Sequence, residues 1–261
     1  MKPLVTMRKL KPLILRNGPD METKRTPLLV FVAALTLGFL ASPPVATAEE
    51  GIALAIVYDT SGSMLEAVRD HAGQNTPKYI IANRALTAII DRLQTVATNT
   101  AAGPAPNIEA GLFVFKEGGT ATAAVPFGPF DAAALRQWTK SFARPVGPTP
   151  LGEAVRVAGQ SVLKSKLNHK HILVLTDGIN TAGPDPAAVI PGLRGVATKS
   201  NATLEFHFVA FDVAAKVFEP VKKLGTTVVG AADELQLNTQ LSFILEEKIL
   251  LEAEEPAKPK K

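Results

Sequence analysis

The chain has 261 residues, with 28 lysines and arginines against 24 aspartates and glutamates, and no cysteine. The missing cysteines exclude disulfides, thiolate metal sites, a cysteine nucleophile and lipid attachment through a lipobox cysteine. The net charge of +4 does not argue for nucleic acid: residues 1–48 carry 7 of the basic and 2 of the acidic residues, leaving 21 and 22 in the remainder, whereas nucleic-acid binding needs a basic patch on the folded domain.

The first 48 residues read as a targeting segment. Lys24-Arg25 precede an apolar stretch that begins at Pro27-Leu28-Leu29 and runs to Ala41, Pro43-Pro44 break it, and Ala46-Thr47-Ala48 follows. Positive n-region, short h-region and small-x-small site are the three parts of a secretory signal peptide. The apolar core is about 15 residues, short of the ~20 that span a bilayer. The expectation is export to the periplasm or beyond, with cleavage near Ala48; an uncleaved anchor is the alternative, and the only route to a membrane. Met1, Met7 and Met21 are candidate starts, the last lying just before Lys24-Arg25.

The remaining 213 residues suffice for one core. They show no linker, so one domain is expected over 49–250, followed by a charged, disordered tail over 251–261 that holds two prolines. The first strand is expected over 52–58, because Ile52-Ala53-Leu54-Ala55-Ile56-Val57 is unbroken apolar sequence, as in a strand buried on both faces. A helix follows over 79–96, with Leu86, Ile89, Ile90 and Leu93 on one face. Strands over 108–115 and 120–125 are joined by Lys116-Glu117-Gly118-Gly119, too short for anything but an antiparallel hairpin. Over 150–163, Leu151, Ala154, Val155, Ala158 and Val162 form a helical stripe. A second continuously apolar strand is expected over 171–176, then a helix over 185–199. Leu204-Glu205-Phe206-His207-Phe208 alternates, so the strand over 203–211 belongs nearer an edge. A helix over 214–224, a strand over 226–229 and a helix over 233–251 complete the chain. Alternation of this kind predicts an α/β fold: a doubly wound, mostly parallel sheet with one antiparallel edge strand and helices on both faces.

Three segments could supply chemistry. Asp59-Thr60-Ser61-Gly62-Ser63-Met64 puts a carboxylate and two hydroxyls on alternate residues at the carboxyl end of the first strand, where open α/β sheets bind ligands. Such an oxygen set suits Mg²⁺, Mn²⁺ or Ca²⁺; the same residues also form Asx-turns and caps. Thr176-Asp177-Gly178 repeats the pattern of buried strand, acid and turn. If the two strands are neighbours at the topological switch, Asp59 and Asp177 face one crevice. Thr149 before Pro150 reads as an N-cap with proline at the first helical position, or as a further ligand. His169 and His171 read as solvated loop residues, with no third ligand for zinc in view.

The order D-x-S-x-S, then Thr, then T-D-G resembles the von Willebrand factor type A family over about residues 51–245, and the stretch from Lys78 to Leu86 resembles that family's first helix. The resemblance implies a metal-ion-dependent adhesion site made by Asp59, Ser61, Ser63, Thr149 and Asp177. It implies a non-catalytic module whose Mg²⁺ (or Mn²⁺ or Ca²⁺) accepts an Asp or Glu from a partner protein. The rim would comprise residues 60–77, 116–119, 143–149 and 178–186, with the segment 65–77 longer than is typical. Two other classes compete. A metal-dependent hydrolase would need a base, but the three segments hold no histidine; Ser61 stands where a D-x-D phosphatase needs its second acid, and neither a G-x-S-x-G elbow nor a P-loop is present. A structural module without metal is the third class.

Overall fold

The computed structural model describes residues 49–100 and 104–251. The expected signal segment with its cleavage site, and the tail beyond 251, lie outside the described residues. The elements run β1 (Glu49–Tyr58), β2 (Ala67–Arg69), β3 (Asn75–Pro77), α1 (Lys78–Thr98), β4 (Ile108–Lys116), β5 (Thr120–Pro129), α2 (Ala132–Ser141), α3 (Leu151–Val162), β6 (Leu167–Thr176), α4 (Pro186–Lys199), β7 (Thr203–Phe211), α5 (Glu219–Lys222), β8 (Thr227–Ala231) and α6 (Glu234–Ile244). The main sheet has the order β5-β4-β1-β6-β7-β8. Within this sheet only β4 and β5 pair antiparallel, closing through Gly118 and Gly119, both at positive φ.

Strand β1 is the centre of the molecule. Its even residues, Ile52, Leu54, Ile56 and Tyr58, join the core with α1 and α6, while Ala53, Ala55 and Val57 face α3 and α4. The contrast in size sets the layer spacing. Alanines in β1 meet Ala154 and Ala158 of α3, so this helix packs close to the sheet, whereas the larger residues hold α1 further off. Helices therefore cover both faces, and the continuous apolar character of β1 and β6 follows from burial on both sides.

The structure departs from the sequence reading in four elements. Helix α2, capped by Asp131 accepting the Ala134 N–H, was not anticipated. The long segment after Met64 is an ordered hairpin, β2–β3, whose loop is tied by Asp70: its Oδ1 accepts from the Ala72 and Gln74 N–H groups and its Oδ2 from the Thr76 hydroxyl. The helix expected over 214–224 is broken into a 3-10 turn, Ala215–Phe218, and the short α5, because Pro220 restarts the helix from its first turn. The last helix changes to π geometry over Leu245–Leu250. No helix among the described residues is long and apolar enough to cross a membrane.

Candidate metal centre

Strands β1 and β6 are neighbours, and the chain leaves β1 toward β4 on one side and reaches β6 on the other. Their carboxyl ends form the switch-point crevice. Asp59 and Asp177 follow directly after Tyr58 and Thr176, and the register pairs Tyr58 with Leu175. The Asp59 N–H continues the ladder by donating to the Leu175 carbonyl at 3.0 Å.

The side chains form one chain of oxygens. Asp59 Oδ1 accepts from the Ser61 N–H at 2.8 Å and from the Ser61 hydroxyl at 2.5 Å. Ser61 Oγ lies 3.0 Å from Ser63 Oγ, and the Ser63 hydroxyl donates to Asp177 Oδ1 at 2.8 Å. The Thr149 hydroxyl borders the same space: a Cβ placed on Gly178 would lie 3.6 Å from Thr149 Oγ1 and 3.9 Å from Ser63 Oγ. The structure thus brings all five expected residues to one crevice. It corrects one of the two readings of Thr149. Helix α3 is preceded by Pro150 with no side-chain cap, and the Gly152 N–H is instead satisfied by Asn180 Oδ1 at 3.2 Å. The Thr149 hydroxyl is therefore not spent on capping.

The spacing fits a small divalent cation. Ligand oxygens 2.0–2.1 Å from an octahedral cation sit about 2.9 Å from one another along an edge, and the oxygen separations here are 2.5 to 3.0 Å. The donors are carboxylates and hydroxyls only, a hard set that suits Mg²⁺, Mn²⁺ or Ca²⁺. Burial of Asp59, with the negative charge of Asp177 second, raises its pKa to about 6 against the pull of its bonds from Ser61 and Thr176. A bound cation would relieve that unfavourable charge.

The rim is knit together. Thr60 Oγ1 donates to the Phe115 carbonyl and accepts the Phe115 N–H, pinning the tips of β1 and β4. The Gly62 N–H donates to the Gly147 carbonyl at 3.0 Å, and the Val146 N–H to the Thr60 carbonyl at 2.8 Å. Gly119 approaches Ala182, and Thr149 and Thr181 are doubly bonded. The segments 60–77, 116–119, 143–149 and 178–186 therefore do converge.

Sequence reasoning missed three site residues. Lys78, the first residue of α1, is 2% exposed and its Nζ lies 2.8 Å from Glu66, 3.1 Å from Asp177 Oδ2 and 3.1 Å from Asp212. Burial pulls its pKa down, but the bonds to Glu66 and Asp212 and the charge of Asp177 outweigh this and hold it protonated. The available signal was its position, since a cation at a helix N-terminus opposes the helix dipole. Asp212 follows β7 as Asp59 and Asp177 follow their strands, and its backbone is left-handed at φ 53°. Glu66 was hidden among loop residues. A further correction concerns His171, which lies inside β6 at 0% exposure and stacks on buried His207, with Nδ1 and Nε2 3.3 Å apart. These histidines belong to the core on the α6 side, not to a solvated loop.

Comparison with solved structures identifies the architecture. The von Willebrand factor domain of the type V pili tip protein Mfa5 from Porphyromonas gingivalis superposes with a TM-score of 0.58 at 12% identity, over 81% of this chain and 98% of that one. The fold is that of the von Willebrand factor type A domain. The PilB minor pilin from Streptococcus sanguinis matches with a TM-score of 0.57 at 18% identity, over 76% of this chain. Proximal thread matrix protein 1 from the mussel byssus, solved with zinc in its MIDAS motif, matches with a TM-score of 0.54 at 16% identity. This chain spans 61% of the pilin and 48% of the byssus protein. No protein-family model and no curated protein matches the sequence.

Proposed function

We propose that this A-type domain is a non-catalytic, exported protein-binding module whose grip depends on a divalent cation, most naturally Mg²⁺. Asp59, Ser61, Ser63, Thr149 and Asp177 would hold the cation. Two carboxylates and three neutral hydroxyls leave it electrophilic, and its remaining position would take an Asp or Glu carboxylate from a partner protein. The observation that carries this reading is the continuous hydrogen-bonded run of carboxylate and hydroxyl oxygens from Asp59 through Ser61 and Ser63 to Asp177, 2.5 to 3.0 Å apart. The zinc-occupied MIDAS of the byssus protein and the pilus origin of the other neighbours support it. So do Leu65, Val146 and Ile179, apolar and exposed on the loops around the crevice, where a partner would cover them.

Ligand binding to the native state alone stabilises by about 2.7 kcal/mol at a hundredfold excess over Kd. Mg²⁺ is therefore expected to raise the melting temperature by roughly 5 to 10 °C. Asp59→Ala and Asp177→Ala should lose that rise. Capture of a partner from envelope extract should need Mg²⁺ and fail with chelator or with either variant. Equal Mg²⁺ responses in wild type and Asp59→Ala would sink the assignment, and turnover of an ester or phosphate substrate through Asp59 would replace it with the hydrolase.

A further inference from the structure

Each carboxylate of the centre has one oxygen facing the hydroxyls and one tied behind. Asp59 turns Oδ1 to Ser61, while its Oδ2 accepts the Thr176 hydroxyl at 2.6 Å. Asp177 turns Oδ1 to Ser63, while its Oδ2 is held by the Lys78 ammonium at 3.1 Å. The Lys78 anchor is a built one. The side chain is buried, and its three ammonium donors face three carboxylates, those of Glu66, Asp177 and Asp212. The Lys78 N–H also donates to the Glu66 carbonyl at 2.8 Å, so backbone and side chain are fixed by the same turn.

We propose that Lys78 determines which divalent cation the centre accepts, a reading that rests on the metal site argued above. With Oδ2 bonded to the ammonium, Asp177 can offer a cation a single oxygen. Ca²⁺ takes six to eight oxygens and uses bidentate carboxylates to reach that number, whereas Mg²⁺ takes six in a compact octahedron and keeps waters readily. Two carboxylates restricted to one oxygen each therefore favour Mg²⁺. Thr176 restrains Asp59 by a neutral bond that a hydroxyl can release by rotation. Lys78 restrains Asp177 by a charged bond inside a network with two further acids, so it is the stronger of the two restraints. Lys78 acts through Asp177 and is a positioning residue, not a ligand.

The test is calorimetric titration of the full chain with MgCl₂ and with CaCl₂, for wild type, Lys78→Met and Lys78→Arg. Wild type should bind Mg²⁺ at least about tenfold more tightly than Ca²⁺. Lys78→Met frees Oδ2 and should shrink that ratio by about tenfold or more, mainly through tighter Ca²⁺ binding, while Lys78→Arg should keep it near the wild-type value. A ratio unchanged in Lys78→Met overturns the role of Lys78 and leaves the metal site standing. Binding of neither cation by wild type or variant overturns both. Should Lys78→Met fail to fold by circular dichroism, Lys78→Ala, which likewise leaves Oδ2 without the donor, carries the same comparison, and an unchanged ratio there overturns the proposal equally.

Discussion

Asp59 shows how a residue of the proposed cation site weighs on the stability of the fold. It is completely buried beside a second carboxylate, which raises its pKa to about 6 from an ordinary 3.8. A carboxylate whose folded pKa is raised destabilises the fold when ionised. The metal-free protein should therefore recover this loss as pH falls from above 6 toward 4. The buried histidines pull the other way: burial first, then Lys248 and Arg194, depress His207 to about 4, so the unfolded chain takes up protons first as pH drops below 6.5 and stability is lost. A paired comparison removes the histidine contribution. In chelator at pH 8, Asp59→Asn should be more stable than wild type by roughly 2 kcal/mol, because Asn keeps an acceptor for Ser61 without the charge. At pH 5, where wild-type Asp59 is mostly protonated, urea denaturation should show the gap closing. A gap that is the same at both pH values would mean that Asp59 is not the titrating group. In the variant Mg²⁺ should no longer stabilise.

At the scale of elements, the position of the crevice depends on how closely α3 approaches the loop that follows Asp177. Gly152 sits in the first turn of α3, and a Cβ there would lie 2.0 Å from the Pro184 carbonyl oxygen and 2.9 Å from the backbone carbons of Pro184 and Asp185. Gly159, two turns on, would meet the side chain of Leu193 at 2.4 Å. Both are overpacking sites, but a leucine tip can rotate and a backbone cannot. Gly152→Ala should cost about 3 kcal/mol or more and Gly159→Ala about 1. The two should also differ in function. Gly152→Ala displaces the 178–185 loop, so its Mg²⁺ affinity should fall, while Gly159→Ala should bind Mg²⁺ as wild type does. Chemical denaturation and calorimetry check the two halves of this expectation. Equal costs would show that the loop backbone yields as easily as a side chain.

For the molecule as a whole, the hairpin β2–β3 links the rim to the opposite end of the sequence. Glu234, the first residue of α6, accepts the His71 N–H at 2.9 Å and pairs with His71 Nδ1 at 2.8 Å; its two oxygens also receive Nε and Nη2 of Arg84 at 2.7 Å. Chiefly the Arg84 bonds hold its carboxyl down at about 2. The ion pair keeps its full strength above pH 4.5 and is lost as pH falls through 2. Glu234→Gln should lower stability at pH 7 by about 1 to 3 kcal/mol. It should also expose the 70–74 loop to limited proteolysis, with the Mg²⁺ response retained because no centre residue is touched. Protection of that loop in the variant would show that the hairpin is held by its own Asp70 bonds alone. Replacing residues 67–76, with Glu66 and its bonds to Lys78 kept, should alter which partner is captured and leave cation binding unchanged, since the hairpin adds contact surface and no ligand.

Much of this arrangement is written in local sequence. The apolar run from Ile52 to Val57 reads as a strand buried on both faces, Gly118-Gly119 as the close of a hairpin, and the Leu151 to Val162 stripe as a covering helix. Those local constraints imply the mixed sheet and place Asp59 and Asp177 at strand ends. Other features have no local signature. Pro220 is an exception, a local signal that interrupts the helix apolar spacing would continue, whereas β2–β3 is too short to show alternation. His171 is buried because β7 brings His207 against it from 36 residues away. Lys78 becomes the counter-charge of Asp177 only because β1, β6 and β7 lie side by side, which sets three acids from distant parts of the chain around one ammonium. Periodicity and turn chemistry act over a few residues and are legible in the sequence, whereas the pairing of buried charges depends on which strands become neighbours, and the tertiary structure alone decides that.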